Sequence, residues 1–382
     1  MKKFDYSLMA PGPVNLHPEV RKILSEPMIH HRTPEFDKIL AQVLKKMKFI
    51  FQTQEPTYLL TSTGSGGMEA LLVNTLSPGD SVLCIVSGKF GERWSQMASS
   101  FGLKTDELLI PWGEAFRTSS IKEKLSQKKY AAVLTQACET STGVLHPIQG
   151  LGELISEHPD TLLLVDGITA LGALPLPLDE WHIDGLVGGS QKAFMLPTGM
   201  SFIAFSKKAQ KRFDTAKIPR FYFDIRKEKK ANETGETFFS SNVSLIKALN
   251  FVLTEIEKKG LTTQFNENKR RSEFTLYMIQ LLGLKSYAQT PSPSLTAMCL
   301  PPGIDGQLVR AELEKDFQIT VMGGQDQAKG KILRIGHMGY IQDHELLNLS
   351  EALYEVLSKH HYKAPFDQKL YSNKLNQWLK EN

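Results

Sequence analysis

From Tyr58 onward, short apolar runs alternate with helical patterns: YLLTS and a helix from Met68, SVLCIVS and a helix from Glu92, YAAVLTQA and a helix from Ile148, then TLLLVDG. Few folds accommodate that rhythm. Strands separated by helices need right-handed crossovers, which lays them side by side in a mostly parallel sheet with helices on its faces. Ligands of such sheets bind at the carboxyl ends of the strands, so residues that carry chemistry belong there.

After the strand-like MSFIAFS near residue 203 the pattern changes to long helices, Val243 to Lys259 and Asn266 to Leu282. A smaller α+β unit follows, with LTAMCL, a helix around Gln307 to Lys315, ITVMGG, KILRIGHMG and a closing helix from His344 to His360. The tail from His361 to Asn382 is polar with isolated aromatics and is expected to pack as an appendage. A chain of 382 residues is too long for one ordinary core. The expected division is an N-terminal segment over 1–20, a large domain over 21–260, a small domain over 261–360 and the tail over 361–382.

Hydrophobic residues at 41% and charged residues at 23% sit near the mean for soluble globular chains, which excludes a disordered or fibrous protein. The 45 Lys and Arg are scattered among 41 Asp and Glu, so no nucleic-acid partner is expected. Cys84, Cys138 and Cys299 are too few and too far apart for a disulfide framework or a zinc site, which points to a reducing cytoplasm and no metal. Met1 to Ala10 holds no apolar run of signal-peptide length and no segment approaches a membrane span, so a soluble, cytoplasmic protein is expected.

Four features could carry chemistry. TSTGSGGME, Thr61 to Glu69, places three glycines and several hydroxyls between a strand and a helix, where free N–H groups favour a phosphate; a tight turn would use the same residues. Asp166 ends an apolar strand, either as a turn former or as the partner of a buried cation such as a protonated pyridine nitrogen. Lys192 follows Gly188-Gly189-Ser190-Gln191 and precedes Ala193, Phe194 and Met195, surroundings apolar enough to favour the neutral amine that forms an imine. Arg334, inside KILRIGHMG, could pair with a structural carboxylate or clamp the carboxylate of a substrate. Together, a phosphate cradle, an acid and a lysine at strand ends supply what a pyridoxal cofactor needs.

The motifs APGPVNLHPEV, PMIHHRTPEF, TSTGSGGMEA, SPGDSVL, GKFGERW, ETSTGV, VDGITALGA, GGSQKAFMLPTG and LRIGHMGY run from the N-terminus to about Leu357. Through them the chain resembles the class V aminotransferases of the fold type I pyridoxal phosphate superfamily, nearest the alanine or serine–glyoxylate aminotransferases. The resemblance implies a large, mostly parallel α/β domain with a smaller C-terminal α+β domain. Pyridoxal 5′-phosphate would be the cofactor, and the reaction would move an amino group from alanine or serine to a 2-oxo acid such as glyoxylate. It implies that Thr63, Gly64 and Ser65 hold the phosphate, Phe90 stacks on the ring, Asp166 meets the pyridine nitrogen and Lys192 is the Schiff-base lysine. Thr140 and Gln191 would be further cofactor contacts, Arg334 would hold the substrate carboxylate, and Ser240 would reach the phosphate of a partner subunit in a homodimer with shared sites.

Ala137, Cys138 and Phe239 stand where relatives often carry polar or glycine residues, or tyrosine, and these departures bear on substrate identity. A cysteine desulfurase would need a thiol near the substrate arginine, and residues 303–333 contain none. Two rivals stay open: an aminotransferase for phosphonate or phosphorylated substrates, with His30, His31 and Arg32 as anion contacts, and a catalytically silent accessory protein of the same fold.

Overall fold

A computed structural model describes the chain from Tyr6 to Asn382; residues 1–5, the start of the expected N-terminal segment, lie outside the described residues. Seven strands form the main sheet: β1 (Thr57–Leu60), β2 (Ser81–Val86), β3 (Lys104–Leu109), β4 (Ala132–Gln136), β5 (Leu162–Asp166), β6 (Gly185–Gly189) and β7 (Ser201–Phe205). Their order is β1-β7-β6-β5-β4-β2-β3, and β7 runs antiparallel to both of its neighbours. Strands β4 to β7 are buried along their whole length, which is why they read as continuous apolar runs rather than alternating ones. The edge strand β3, KTDELL, is half-exposed and polar, so no apolar run betrays it in the sequence.

The helices expected from Met68 and Glu92 begin earlier, at Gly64 and Lys89. Gly64 and Gly67 therefore lie inside a helix, not in a loop before it. Close approach is the reason: a Cβ on Gly67 would come within 2.5 Å of Val187 in β6, and one on Gly64 within 2.4 Å of Ile168, just past the end of β5. Outside the sheet, helix Pro34–Phe51 buries Phe36, Leu40, Val43, Met47 and Ile50, spaced three or four apart, against helix Val243–Lys259.

The helix after Val243–Lys259 starts at Leu261 rather than Asn266 and runs to Leu281. Beyond it lies a three-stranded antiparallel sheet of β8 (Leu295–Cys299), β9 (Met322–Gly323) and β10 (Ile332–Gly336), ordered β8-β10-β9, with helices Leu261–Leu281 and Gly306–Phe317 against it and helix Asp343–Lys359 packed on those helices. The run ITVMGG divides, because Ile319–Thr320 pairs in parallel with Ser7–Leu8 while Met322–Gly323 joins β10. The N-terminal segment is thereby strapped across the molecule: Gly336 N donates to Met9 O at 2.7 Å, and Val14 N to Gln191 O at 3.2 Å.

The tail is not an appendage. It forms helix Gln368–Glu381, which buries Tyr371 and Leu375 and sets Trp378 against Phe274, all within the apolar core of the second sheet. Spacings of four and then three residues place these side chains on one face, a signal too short to stand out in a polar segment. Among the described residues no helix is long and apolar enough to cross a membrane.

Candidate active site

The carboxyl ends of β1, β2, β4, β5 and β6 open onto one region. After β6, the segment from Ser190 to Met200 closes on itself: Ser190 Oγ donates to Pro197 O at 2.7 Å and accepts from Met200 N at 3.2 Å. Lys192 projects from this loop with 8% of its surface exposed and donates from Nζ to Pro11 O at 2.6 Å. Burial pulls its pKa down from 10.5 to about 8; Asp166 opposes the fall, and the cations Arg334 and Arg93 add to it. A substantial share of neutral amine at physiological pH follows.

Asp166, at the end of β5, accepts from Ile168 N at 2.8 Å, so it does form the turn that one reading assigned it. Burial nevertheless pushes its carboxyl up to about 6, while the Ile168 N–H and the charges of Arg93 and Lys192 resist. A cation placed against it would restore the ionised form. Beside it, Thr140 Oγ1 and Thr169 Oγ1 share a hydrogen bond of 2.7 Å.

Arg334 of β10 is 7% exposed and donates to two backbone carbonyls, Gly323 O from Nε and Thr140 O from Nη1, each at 2.9 Å. Neither partner is a carboxylate, so of the two readings the structural ion pair is absent. The guanidinium carries five N–H groups, and two are used here. Burial lowers its pKa to about 10, with the Glu139 charge acting the other way.

After β1, Thr63 occupies the N-cap of helix Gly64–Thr75 without a side-chain capping bond; its carbonyl accepts from Gly66 N at 2.9 Å, and its hydroxyl caps none of the first-turn N–H groups, the kind of helix start that suits an anion. Ser65 Oγ accepts from Arg93 Nη1 at 3.0 Å, and the Arg93 guanidinium lies 4.7 Å from the centre of the half-buried Phe90 ring. Gln191 keeps its Oε1 buried with no hydrogen-bond partner, an acceptor oriented for something outside this chain's own bonds.

Thr63, Gly64, Ser65, Phe90, Thr140, Asp166, Gln191, Lys192 and Arg334 thus gather around the strand ends. Ser240 does not join them within this chain; it is exposed and lines a separate cavity with Thr61, Tyr222 and Phe239. Sequence reasoning missed Arg93, Glu139 and the Pro11 carbonyl, although GKFGERW, ETSTGV and APGPVNLHPEV contain them. Their importance lies in contacts between segments that no local pattern reveals.

A lysine amine, a buried acid and an open helix N-terminus at the strand ends of this sheet define a pyridoxal-phosphate enzyme of fold type I. The family model described as Aminotransferase class-V matches residues 18–348, and the chain belongs to that family. It is 36% identical over 357 residues to a protein of Synechococcus sp. (strain PCC 6716) named as the small subunit of a soluble hydrogenase, covering 92% of this chain and 93% of that one. Against an L-aspartate–glyoxylate aminotransferase of Paracoccus denitrificans (strain Pd 1222) it is 35% identical, covering 88% of this chain and 87% of that one. Among solved structures, an alanine–glyoxylate aminotransferase from Nostoc sp. is 31% identical with a TM-score of 0.89, covering 94% of this chain and 96% of that one. The protein is a class V transaminase that depends on pyridoxal phosphate.

Proposed function

We propose that the enzyme transfers an amino group from a small amino acid, alanine or serine, to a 2-oxo acid, with glyoxylate as acceptor. The observation that carries this reading is the Lys192 amine itself, buried after β6 with its Nζ on Pro11 O at 2.6 Å, where burial lowers its pKa. The glyoxylate in the names of the Paracoccus and Nostoc proteins supports the acceptor.

When bound, pyridoxal phosphate supplies an aldehyde that exchanges for an amino group and a cationic ring that withdraws electrons from the bond being broken. Lys192 would attach it, the first-turn N–H groups of Gly64 and Ser65 with the Thr63 hydroxyl would hold its phosphate, and Phe90 would cover its ring. Gln191 would offer the ring its unpartnered Oε1, and Thr140 would bound the site beside it. Asp166 would face the ring nitrogen, where a cation would offset the burial that raises its carboxyl and would hold it ionised. Arg334 fixes the substrate carboxylate and with it the orientation of the α-carbon. Lys192 would be the residue that moves the proton: its Nζ, when neutral, would take the α-proton of the substrate as a base and give it back as an acid.

The same reading places two copies of the chain in a homodimer, with the exposed Ser240 facing the partner. Sedimentation at micromolar concentration tests it, a dimer being the expected species.

The experiment for the reaction is the visible absorbance spectrum of the cofactor-loaded protein before and after alanine or serine is added without an acceptor. Disappearance of the long-wavelength band of the lysine-attached cofactor, with recovery on adding glyoxylate, is the expected result. A spectrum indifferent to every small amino acid would favour the silent accessory protein.

A further inference from the structure

Glu139 ties together two of the elements that carry the site. Its side chain is fully enclosed, and its carboxylate accepts from two different elements. From its own loop come Ser141 N at 3.1 Å and Ser141 Oγ at 2.5 Å, both to Oε1. From the start of helix Lys89–Ser100 come Gly91 N at 3.1 Å to Oε2 and Phe90 N, shared between Oε2 at 3.2 Å and Oε1 at 3.3 Å.

That helix has Gly88 at its N-cap, with no side chain to satisfy the first-turn N–H groups, so a carboxylate from another strand does the capping. Gly88 is required by the arrangement: a Cβ there would lie 2.6 Å from the Glu139 carboxyl carbon and 2.3 Å from Ser141 Oγ. Ser141 Oγ also accepts from Lys89 N at 3.2 Å, a second tie between the same two segments.

The next residue along the chain faces the other way. Thr140 O accepts from Arg334 Nη1 at 2.9 Å, while Gly143, in the same tight turn, packs on Ala297 of β8, where a Cβ would meet the Ala297 side chain at 3.2 Å. One short hairpin, Cys138–Glu139 with Val144–Leu145, therefore grips the helix that carries Phe90 with one residue and the guanidinium of Arg334 with the next.

We propose that Glu139 is a positioning residue: it fixes the Phe90 helix and the Thr140 carbonyl in one rigid unit, so that ring cover and carboxylate clamp keep their relative placement. This rests on the roles proposed above for Phe90 and Arg334. Glutamine at this position has nearly the same shape but presents an NH2 group to one of the two donor pairs, which breaks one half of the grip and leaves the other.

The test compares wild type, Glu139→Gln and Ser141→Ala in three measurements: thermal unfolding, affinity of the apoprotein for pyridoxal phosphate by fluorescence titration, and the concentration dependence of the half-reaction with the amino donor. For Glu139→Gln the expected result is about a tenfold weakening of both cofactor and donor, the scale of one charge-assisted hydrogen bond, with the limiting rate changed less than KM. Ser141→Ala should shift both in the same direction by about threefold, and it serves if the glutamine variant does not fold. Wild-type affinity for cofactor and donor in the variants, with only the melting temperature lowered, overturns the proposal. Failure of the alanine or serine reading would show in wild type itself, whereas the cofactor titration reports on Glu139 whichever donor is correct.

Discussion

Gly12 and Lys192 are fitted to one another: a Cβ built on Gly12 would stand 2.5 Å from the lysine Nζ and from its Cδ, and the glycine holds a φ of +127°. The strap from the N-terminus therefore passes over the lysine so closely that only hydrogen fits, while Pro11 O receives the amine at 2.6 Å. Gly12→Ala is expected to lose on both counts, with backbone strain of about 1–3 kcal/mol added to displacement of the lysine. Thermal unfolding of the apoprotein and cofactor titration would show a lower melting temperature and weaker binding; a variant identical to wild type in both would mean that the strap moves freely.

Burial of Lys192 has a consequence in pH. Its folded pKa of about 8 lies below the usual 10.5, so between those values the unfolded chain binds more protons than the folded one, and apoprotein stability gains from this residue as pH rises. Asp166 acts in the opposite sense: its pKa rises from 3.8 to about 6, the folded chain holds the extra proton in that interval, and stability falls as pH rises through it. The rate of cofactor uptake by the apoprotein should increase with pH and reach half its maximum near about 8. A half-point close to 10.5 would contradict the burial argument. Lys192→Ala should remove this dependence and reduce turnover by at least about a thousandfold, because in the proposed function the amine both attaches the cofactor and moves the proton.

Arg334→Ala should act chiefly on the amino acid. With the guanidinium gone, the donor carboxylate loses a fork of charged N–H groups, and KM is expected to rise by about a hundredfold, within the range for truncating one side of a buried charged pair. Arg334→Lys should recover only part of the loss, since an ammonium cannot hold Gly323 O, Thr140 O and a carboxylate in the same plane. Steady-state kinetics with alanine and serine decides it, and an unchanged KM in Arg334→Ala would remove the clamp.

How much of this was legible in the sequence depended on whether the signal was local. Strands β4 to β7 announce themselves because burial on both faces demands unbroken apolar runs, and Asp166 and Lys192 stand out as charged groups next to them. The edge strand β3 needs no such run and was invisible. Glycines 64 and 67 read as loop because glycine is a turn residue in the absence of context; the structure shows them allowing helix and sheet to touch. Glu139 and Arg93 lay inside recognised motifs, yet their partners come from other segments: Glu139 caps a helix begun 50 residues earlier in the chain at Lys89, and Arg93 bonds Ser65 across two strand ends. Ser240, expected to reach a partner's phosphate, is exposed and lines a cavity apart from Lys192.

The C-terminal helix tests the same point from the side of stability. Its sequence is polar enough to pass for an appendage, yet Leu375 is fully buried, as is Tyr371, whose hydroxyl donates to Ser350 O at 3.3 Å. Leu375→Ala would leave a void between this helix and the core of the second sheet, at a cost of about 2–5 kcal/mol depending on how far the surroundings collapse. Nothing on that helix touches Lys192 or Asp166, so the variant should unfold at lower urea while its cofactor affinity, measured well below the transition, stays at the wild-type value. If the urea midpoint did not move, the helix would be resting on the small domain rather than completing it; if cofactor affinity fell as well, the core around Tyr371 would be coupled to Arg334 through β10, and the second sheet would be a working part of the active site rather than its support.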